Sequence, residues 1–220
     1  MPKKFDHSLL PPRPDISFEM NLWDQGIALV AGIDEAGRGA WAGPVYAAAV
    51  IFPSDHNLQL ILPGIDDSKK LTSQNRDECA IRINKAALAW QVGSASSVEI
   101  DQLGIVPATK LAMKRAVAGL SIHPQHLLID FLALQEILIP QTAIVKGDAR
   151  SLSIASASIL AKTSRDAEMV SFAKEFPDYG FEQHKGYGTA QHQKMITHLG
   201  PSPIHRMTFA PLKKYLQRSF

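Results

Sequence analysis

The chain of 220 residues carries a formal net charge of +2, with 45% hydrophobic and 20% charged residues. This length and balance are typical of one folded domain, or one domain with a small appendage, and exclude global disorder. The single cysteine, Cys79, excludes internal disulfides and clustered zinc ligands and favours a reduced, cytoplasmic setting.

The charge is distributed unevenly along the chain. Residues 183–220 contain six Lys or Arg and no Asp or Glu. Such a stretch is typical of a surface that faces phosphates, although a solvated face explains the same composition. No apolar run approaches the roughly 20 residues that a membrane span requires. We therefore expect no membrane association, and nucleic acid is a candidate partner.

The first 26 residues are predicted to form an irregular N-terminal arm, because Pro11, Pro12 and Pro14 interrupt any periodicity. A single domain, including helices near the C-terminus, is predicted over residues 27–220. We expect the arm to lie on this domain or to be loosely ordered.

Apolar runs and cap signals predict a mixed sheet covered by helices. The predicted strands are 27–35, 45–52, 91–97, 126–131 and 142–148, and the predicted helices are 72–90, 106–120, 151–175, 190–199 and 212–217. The first two strands are close enough in sequence to pair as an antiparallel hairpin through a glycine turn. Helix 151–175 is rich in small residues, which favours tight packing on a sheet.

Carboxylates end three of the predicted strands. Asp34 and Glu35 close the first strand, Asp130 the fourth and Asp148 the fifth. Because a buried carboxylate without a partner is costly, a shared divalent cation explains this pattern best. Oxygen ligands favour Mg²⁺ or Mn²⁺ over zinc. Two such ions about 3.5–4 Å apart can activate water and stabilise the leaving oxygen in phosphodiester cleavage.

A Gly-Arg-Gly turn follows the first carboxylate pair. Gly37 and Gly39 flank Arg38, and glycine permits positive φ and a close approach to a ligand. Together they indicate a metal-and-phosphate site, although a hairpin with a charged loop explains this stretch taken alone. Adjacent strand residues point to opposite faces. Asp34 and Glu35 can therefore share an ion only if the strand bends before Gly37 or Glu35 reaches round the edge.

Seven sequence blocks, in this order, resemble those of bacterial ribonuclease HII. They are GIDEAGRG (32–39) followed by AGPVYAAAV, DDSKKL (66–71), LLID (127–130), VKGD (145–148), SASILAKTSRD (156–166), HKGYGT (184–189) and PIHRMTF (203–209). The resemblance implies an α/β ribonuclease H-like fold: a mixed five-stranded sheet flanked by helices, with a helical C-terminal extension.

The same resemblance implies a monomeric endonuclease of ribonucleotide excision repair that uses Mg²⁺ or Mn²⁺. Its substrates would be RNA–DNA hybrids and duplex DNA containing single ribonucleotides, incised on the 5′ side to leave 5′-phosphomonoesters. Its partners would be these nucleic acids.

The family's site residues carry over by position. The metal-binding and catalytic carboxylates would be Asp34, Glu35, Asp130 and Asp148. The backbone of Gly37, Arg38 and Gly39 would contact the ribose 2′-hydroxyl, and Tyr187 would stack on the deoxyribose beyond the RNA–DNA junction. Backbone phosphates would lie near Ser68, Lys69, Ser158 and Lys162.

Three positions depart from the family's pattern. Phe131 follows the third carboxylate where the family usually has glycine, which affects the expected route of that loop. Trp41 replaces a smaller residue, and Ala155-Ser156 inverts the usual order.

Structural roles are expected for several other polar residues. The adjacent residues Arg165 and Asp166 are predicted to form a structural ion pair. His184 is predicted to be structural or to lie on the phosphate side, and His205 is predicted to be structural.

Other functions remain open at this stage. A ribonuclease H-like nuclease acting on DNA would share the fold and metals, but such enzymes lack the Gly-Arg-Gly turn. A non-catalytic nucleic-acid-binding module would bind without metal, yet four carboxylates would repel phosphates unless cations intervene. Ribonuclease HIII has a similar first block with an extra N-terminal domain, for which residues 1–26 are too few.

Overall fold

The structure is a computed structural model that describes residues 5–6 and 10–216. Its strands are β1 (Val30–Ala36), β2 (Val45–Ile51), β3 (Ala89–Ala95), β4 (His126–Asp130) and β5 (Gln141–Ile144). Its helices are α1 (Ser17–Trp23), α2 (Leu58–Ile61), α3 (Ser73–Ala86), α4 (Ser97–Leu103), α5 (Ile105–Ala118), α6 (Leu152–Glu175), α7 (Phe181–His184), α8 (Ala190–Leu199) and α9 (Lys213–Leu216). Short 3₁₀ turns lie at Gly147–Ala149 and Pro177–Tyr179.

The five strands form one mixed sheet in the order β3-β2-β1-β4-β5. Strand β1 pairs antiparallel with β2, as predicted for the hairpin, and parallel with β4. Strands β4 and β5 are also parallel. The predicted fold class is therefore confirmed, and the chain's central strand is the one that carries Asp34.

Both faces of the sheet are covered by helices. Because strand residues alternate between faces, Ala47 and Ala49 belong to the core beneath α5, whereas Ala48 and Val50 belong to the core beneath α3 and α6. Helix α6 approaches β1 closely at Gly32, where an added Cβ would lie 2.2 Å from the Ser153 backbone carbon. The small residues of α6 thus bring this helix against the central strand, as its composition predicted.

The predicted irregular arm contains a helix, and the prediction was wrong there. Helix α1 is fixed by Glu19, which is almost fully buried although its side chain ends in a carboxyl group. The Glu19 carboxylate accepts hydrogen bonds from the Ser151 hydroxyl at 2.6 Å and the Ser153 backbone N–H at 2.9 Å. Burial raises the pKa of Glu19, and these bonds oppose the rise. Helix α1 is thereby tied to the first turn of α6.

Several element bounds also differ from the prediction. Helix α3 begins after the predicted Thr72 cap, whose hydroxyl accepts from the Asn75 N–H, but it ends at Ala86 because Trp90 pairs with β2 instead. The predicted third strand is shifted, and its last residues initiate α4 through a capping box at Ser96. The final predicted helix extends to residue 217, which lies outside the described residues. In the described ranges, no helix is long and apolar enough to cross a membrane.

Candidate active site

A cavity of about 250 Å³ opens where β1 and β4 end. The residues lining it are Asp34, Glu35, Ala36, Gly37, Arg38, Gly39, Ser68, Lys69, Asp130, Lys162 and Tyr187. The other two predicted site residues contact this lining from behind. Asp148 Oδ2 lies 3.1 Å from Lys69 Nζ, and Ser158 Oγ lies 2.9 Å from Ser68 Oγ. The structure therefore brings all the predicted site residues to one place.

Asp34 lies at the centre of the acidic group. Its residue is only 3% exposed, and its Oδ1 accepts a hydrogen bond from the Glu35 backbone N–H at 2.7 Å. Burial raises the pKa of Asp34 well above its usual range, and the charges of Glu35, Asp130 and Asp148 raise it further. The Ser158 hydroxyl opposes this rise. Four carboxylates thus interact electrostatically through one buried member.

Asp130 shows the same effect to a smaller extent. Burial raises its pKa to about 6, and the charges of Asp148 and Glu35 contribute. The Gly147 backbone N–H donates to Asp130 Oδ1 at 2.7 Å, which favours the ionised form and limits the rise. Gly147 begins the 3₁₀ turn that also carries Asp148. The fifth strand therefore ends at Ile144, and the prediction that it runs into Asp148 was wrong.

The pairing of β1 with β2 is unbroken up to the glycine turn and includes Glu35↔Ala47 and Ala36↔Tyr46. Asp34 and Glu35 nevertheless both line the cavity. Of the two routes that the sequence left open, the unbroken pairing favours the one in which the longer Glu35 side chain reaches round the strand edge. Glu35 Oε1 accepts from the Arg38 guanidinium at 3.1 Å, whereas Oε2 is buried without a hydrogen-bond partner among the described residues.

The donor set fits a hard divalent cation. It consists of carboxylate oxygens with mutual repulsion and includes the unpartnered oxygen of Glu35, and such oxygens are the ligands that Mg²⁺ and Mn²⁺ prefer. In the described part of the chain, no three Asp, Glu, His or Cys side chains already stand at metal-ligand spacing. Lys69 pairs with Asp148 and Arg38 with Glu35, so protein cations partly neutralise the carboxylates.

The two glycines of the Gly-Arg-Gly turn have different surroundings. Gly37 has φ of +93°, and a Cβ there would lie 2.0 Å from Arg165 Nε. At Gly39, a Cβ would meet no described atom within 4 Å. Gly37 is therefore required by packing inside the protein, whereas Gly39 leaves space on the cavity side.

Arg165 is a functional-site residue whose role the sequence analysis missed. It is fully buried, and its guanidinium donates to the carbonyls of Ala42, Pro44 and Lys185 at 2.9–3.1 Å. It thereby joins the segment after the Gly-Arg-Gly turn to the segment before Tyr187. The predicted Arg165–Asp166 ion pair was wrong, since both residues have other partners.

Asp166 instead belongs to an ion-pair cluster beside the cavity. It lies 2.7 Å from Lys162 Nζ and 3.7 Å from the Arg76 guanidinium. Burial lowers the pKa of Lys162, and Asp166 opposes this. Lys162 also lies 5.4 Å from the Tyr187 ring centre, so the cluster supports one wall of the site.

Arg206 is a second buried arginine beneath the same loops. It donates to the carbonyls of Gly43 and Arg38, each at 2.9 Å. Burial and, to a smaller extent, the charge of Arg165 lower its pKa to about 9. Arg206 therefore does not belong to a phosphate-facing basic surface, in contrast to the composition-based interpretation of residues 183–220. A motif match at PIHRMTF was the only sequence signal at this position.

The three departures from the family's pattern are accommodated locally. Phe131 adopts φ of +59°, a left-handed conformation that glycine enters without steric cost. Trp41 packs across Gly188, where a Cβ would lie 2.2 Å from the indole ring. Ser156 is buried, and its hydroxyl donates to the Leu152 carbonyl at 2.7 Å.

The fold and site together define a class of protein: ribonuclease H-like nucleases, with a carboxylate group at the ends of central strands. The chain belongs to the ribonuclease HII family, whose model, described as Ribonuclease HII, matches residues 31–212. The resemblance inferred from the seven sequence blocks is thereby confirmed.

Relatives and solved structures agree with this assignment. The chain is 52% identical over 198 residues to ribonuclease HII of Desulfitobacterium hafniense strain Y51, covering 90% of this chain and 75% of that protein. It is 50% identical over 200 residues to ribonuclease HII of Chloroflexus aurantiacus, covering 90% and 94%. The ribonuclease H2 structure from Pyrococcus horikoshii has a TM-score of 0.71 at 25% identity, covering 86% of this chain and 98% of that one.

Membership establishes the general activity. Proteins of this family are hydrolytic endoribonucleases that act on RNA in RNA–DNA hybrids and depend on divalent metal. A Bst-RNase HIII structure in complex with Mn²⁺ has a TM-score of 0.67 at 21% identity, covering 87% of this chain and 70% of that one. At this level of identity, the likeness supports a shared fold and no more.

Proposed function

We propose that this enzyme also incises duplex DNA on the 5′ side of a single embedded ribonucleotide, leaving a 5′-phosphomonoester. One observation supports this most directly. The cavity that holds the carboxylates is also lined by the Gly-Arg-Gly turn and by Tyr187. Groups suited to cleavage, to the 2′-hydroxyl and to a neighbouring sugar thus share one site. A monomeric, cytoplasmic enzyme of ribonucleotide excision repair is the corresponding cellular role.

The carboxylates Asp34, Glu35, Asp130 and Asp148 would hold Mg²⁺ or Mn²⁺. Bound as a pair, such ions would supply an activated water and stabilise the leaving oxygen. The protein's part is to hold the acceptors in place: the Glu35 N–H fixes Asp34, and the Gly147 N–H fixes Asp130. Burial and mutual repulsion raise the pKa values of Asp34 and Asp130. A bound cation would relieve this repulsion, which supports the assignment of a metal site.

Recognition of ribose would come from the backbone of the Gly-Arg-Gly turn. A 2′-hydroxyl is both donor and acceptor, and it distinguishes RNA from DNA. The open space at Gly39 would admit this hydroxyl to the backbone groups beside Arg38. The Arg206 guanidinium fixes the Arg38 carbonyl from the protein side.

Tyr187 would contact the next sugar. The ring is partly exposed, and Lys162 Nζ and the Arg165 guanidinium lie 5.4 Å and 5.2 Å from its centre. The exposed part of this flat ring would pack on a sugar that lacks the 2′-hydroxyl. This contact would mark the RNA–DNA junction.

Backbone phosphates would bind beside these sugars. Lys69 is the exposed cation of the site, and although burial opposes it, the Asp148 carboxylate raises the pKa of Lys69. Ser68 and Ser158 are both buried and are hydrogen-bonded to each other, so they would hold the segment that carries Lys69 in place beside the phosphate. Lys162 would bind a phosphate in competition with Asp166.

The decisive experiment compares three substrates: duplex DNA with one ribonucleotide, a long RNA–DNA hybrid and all-DNA duplex. With Mg²⁺ or Mn²⁺, we expect cleavage of the first two and none of the third, and no cleavage in EDTA. Cleavage of all-DNA duplex would support a DNA nuclease, and binding without cleavage would support a binding module. Cleavage of the hybrid alone would refute incision at single ribonucleotides.

The Tyr187→Ala variant tests junction recognition. Stacking of a base on an aromatic ring contributes on the order of 1–3 kcal/mol, and we expect a similar contribution from a sugar packed on Tyr187. Incision at a single ribonucleotide should therefore fall roughly ten- to a hundredfold. Cleavage inside a long hybrid should fall less. Tyr187→Phe, which keeps the ring, is the matched control. Equal losses on both substrates would remove the junction role.

A further inference from the structure

Three buried histidines lie beneath the loop that carries Tyr187, and the site described above does not use them. His184, His192 and His205 surround Phe181, with ring-centre distances of 5.6–5.8 Å. His184 and His192 stack at 4.3 Å, and His192 Nε2 lies 2.9 Å from His205 Nε2. All three histidines are buried.

The direction of each hydrogen bond follows from the backbone groups at the ends. The Ser202 backbone N–H can only donate, and it lies 2.8 Å from His205 Nδ1, which must accept. His205 therefore carries its proton on Nε2 and donates to His192 Nε2. His192 carries its proton on Nδ1 and donates to the Tyr187 carbonyl at 3.0 Å. We call Ser202–His205–His192–Tyr187 the histidine chain.

The charge state of the histidines agrees with this assignment. Burial lowers the pKa of His192 and of His205 to about 4, so both are neutral at neutral pH. Among the residues that the structure describes, no three His, Cys, Asp or Glu side chains stand at metal-ligand spacing. We therefore interpret the 2.9 Å separation of the two Nε2 atoms as a hydrogen bond.

His205 connects the two proposed ribose-recognition elements. It forms an isolated β-bridge with Ala42, and the next residue, Arg206, donates to the Arg38 carbonyl. The residue before Ala42 also contacts the Tyr187 segment: the Trp41 N–H donates to the Gly186 carbonyl at 2.8 Å. The histidine chain therefore ends at the Tyr187 carbonyl, whereas Arg206, the residue next to His205, contacts the Gly-Arg-Gly turn.

We propose that His192 and His205 are positioning residues for junction recognition, setting the place of the Tyr187 ring through its backbone carbonyl. The neighbouring Arg206 does the same for the Gly-Arg-Gly turn. This inference depends on the proposed function of Tyr187. It assigns two adjacent residues, His205 and Arg206, to two separable steps: the first to the deoxyribose after the junction, the second to the 2′-hydroxyl.

The test compares His192→Phe with His192→Asn. Phe keeps a ring of similar size but cannot donate to the Tyr187 carbonyl. Asn places an amide N–H near the position of Nδ1–H and restores the donor. For His192→Phe we expect about a tenfold fall in the ratio of single-ribonucleotide incision to long-hybrid cleavage, the size of one lost backbone hydrogen bond with its partner left unpaired. His192→Asn should recover most of the ratio.

The Arg206→Lys variant is the control for the two His192 variants, because it disturbs the Gly-Arg-Gly turn and not the Tyr187 carbonyl. Since both substrates contain the 2′-hydroxyl, this variant should lower cleavage of both and leave the ratio unchanged. If His192→Phe fails to fold, His205→Leu beside His205→Gln, which keeps an Nε2–H donor, makes the same comparison.

The outcomes separate this inference from the function on which it depends. A wild-type enzyme that does not incise single ribonucleotides would refute the proposed function. A wild-type enzyme with the Tyr187→Ala effect, but with an unchanged ratio in His192→Phe, would refute the positioning role alone. Equal loss on both substrates without recovery in His192→Asn would also refute it, because it indicates general destabilisation.

Discussion

Replacing Asp130 by Asn should stabilise the metal-free protein while removing most activity. The pKa of Asp130 is raised from 3.8 to about 6, chiefly by burial. At about 1.4 kcal/mol for each pKa unit, the ionised carboxylate costs the folded state at most about 3 kcal/mol. Solvent screening and the coupling to Asp148 and Glu35 reduce the expected gain to roughly 1–2 kcal/mol. Asn retains an Oδ1 that can accept from the Gly147 N–H.

The gain should depend on pH in a defined direction. Between about pH 4 and 6 the folded protein binds a proton at Asp130 that the unfolded chain has released, so wild-type stability falls as the pH rises through this window. Asn does not titrate. The difference in free energy of unfolding should therefore be absent at pH 4, grow up to pH 6 and stay constant above it.

Denaturant unfolding in EDTA at several pH values measures this difference directly. Asp130→Ala serves as the control, because it removes the charge but also the acceptor of the Gly147 N–H, and it should gain less than Asn. Adding Mg²⁺ or Mn²⁺ should stabilise wild type more than Asp130→Asn. An Asn variant that is less stable than wild type at pH 8 in EDTA, or that keeps near wild-type turnover with metal, would refute the reasoning.

Two further predictions concern the loop after Asp130 and the basic end of the chain. Phe131 is 62% exposed at φ of +59°, so Phe131→Asn, which tolerates this conformation, should be more stable than Phe131→Ala by about 0.5–1 kcal/mol in thermal or denaturant unfolding. Equal stabilities would show that the left-handed backbone is not strained. Replacing Lys213 and Lys214 together, both exposed on α9, should weaken hybrid binding and flatten its dependence on salt by up to about 0.9 per lost phosphate contact. An unchanged slope would place both lysines away from the nucleic acid.

Much of the site could be predicted from the sequence because its local patterns are strong. A short apolar run ending in Asp34 and Glu35 predicts a buried strand, and a strand has few ways to present a terminal carboxylate. Parallel strands β1 and β4 then bring Asp130 to the same edge, since the carboxyl ends of parallel strands meet there. Asp148 was placed correctly in space although the strand stops earlier, because the 3₁₀ turn carries it back.

The missed features are buried polar groups whose partners are distant in sequence. Glu19 bonds Ser151 and Ser153, more than 130 residues away, and nothing near Glu19 signals this burial. Arg165 was predicted to pair with Asp166, and Arg206 was assigned to a basic surface because arginine is mostly exposed in proteins. Their partners are backbone carbonyls, which every residue type possesses, so no residue pattern identifies them.

These buried donors follow from the demands of the site itself. The segments carrying Gly37 and Gly39, and Gly186 and Gly188, contain four glycines, which contribute no side chains of their own to the core. Hydrogen bonds to the backbone therefore add to the packing that Trp41 makes across Gly188. Arg165 alone donates to three carbonyls in two segments, which the fork of a guanidinium can do and a lysine ammonium cannot match in geometry. Arg206 acts in the same way on a smaller scale, because its guanidinium donates to the carbonyls of Gly43 and Arg38. The Gly-Arg-Gly turn and the Tyr187 segment are therefore held in place by buried side-chain donors to backbone carbonyls.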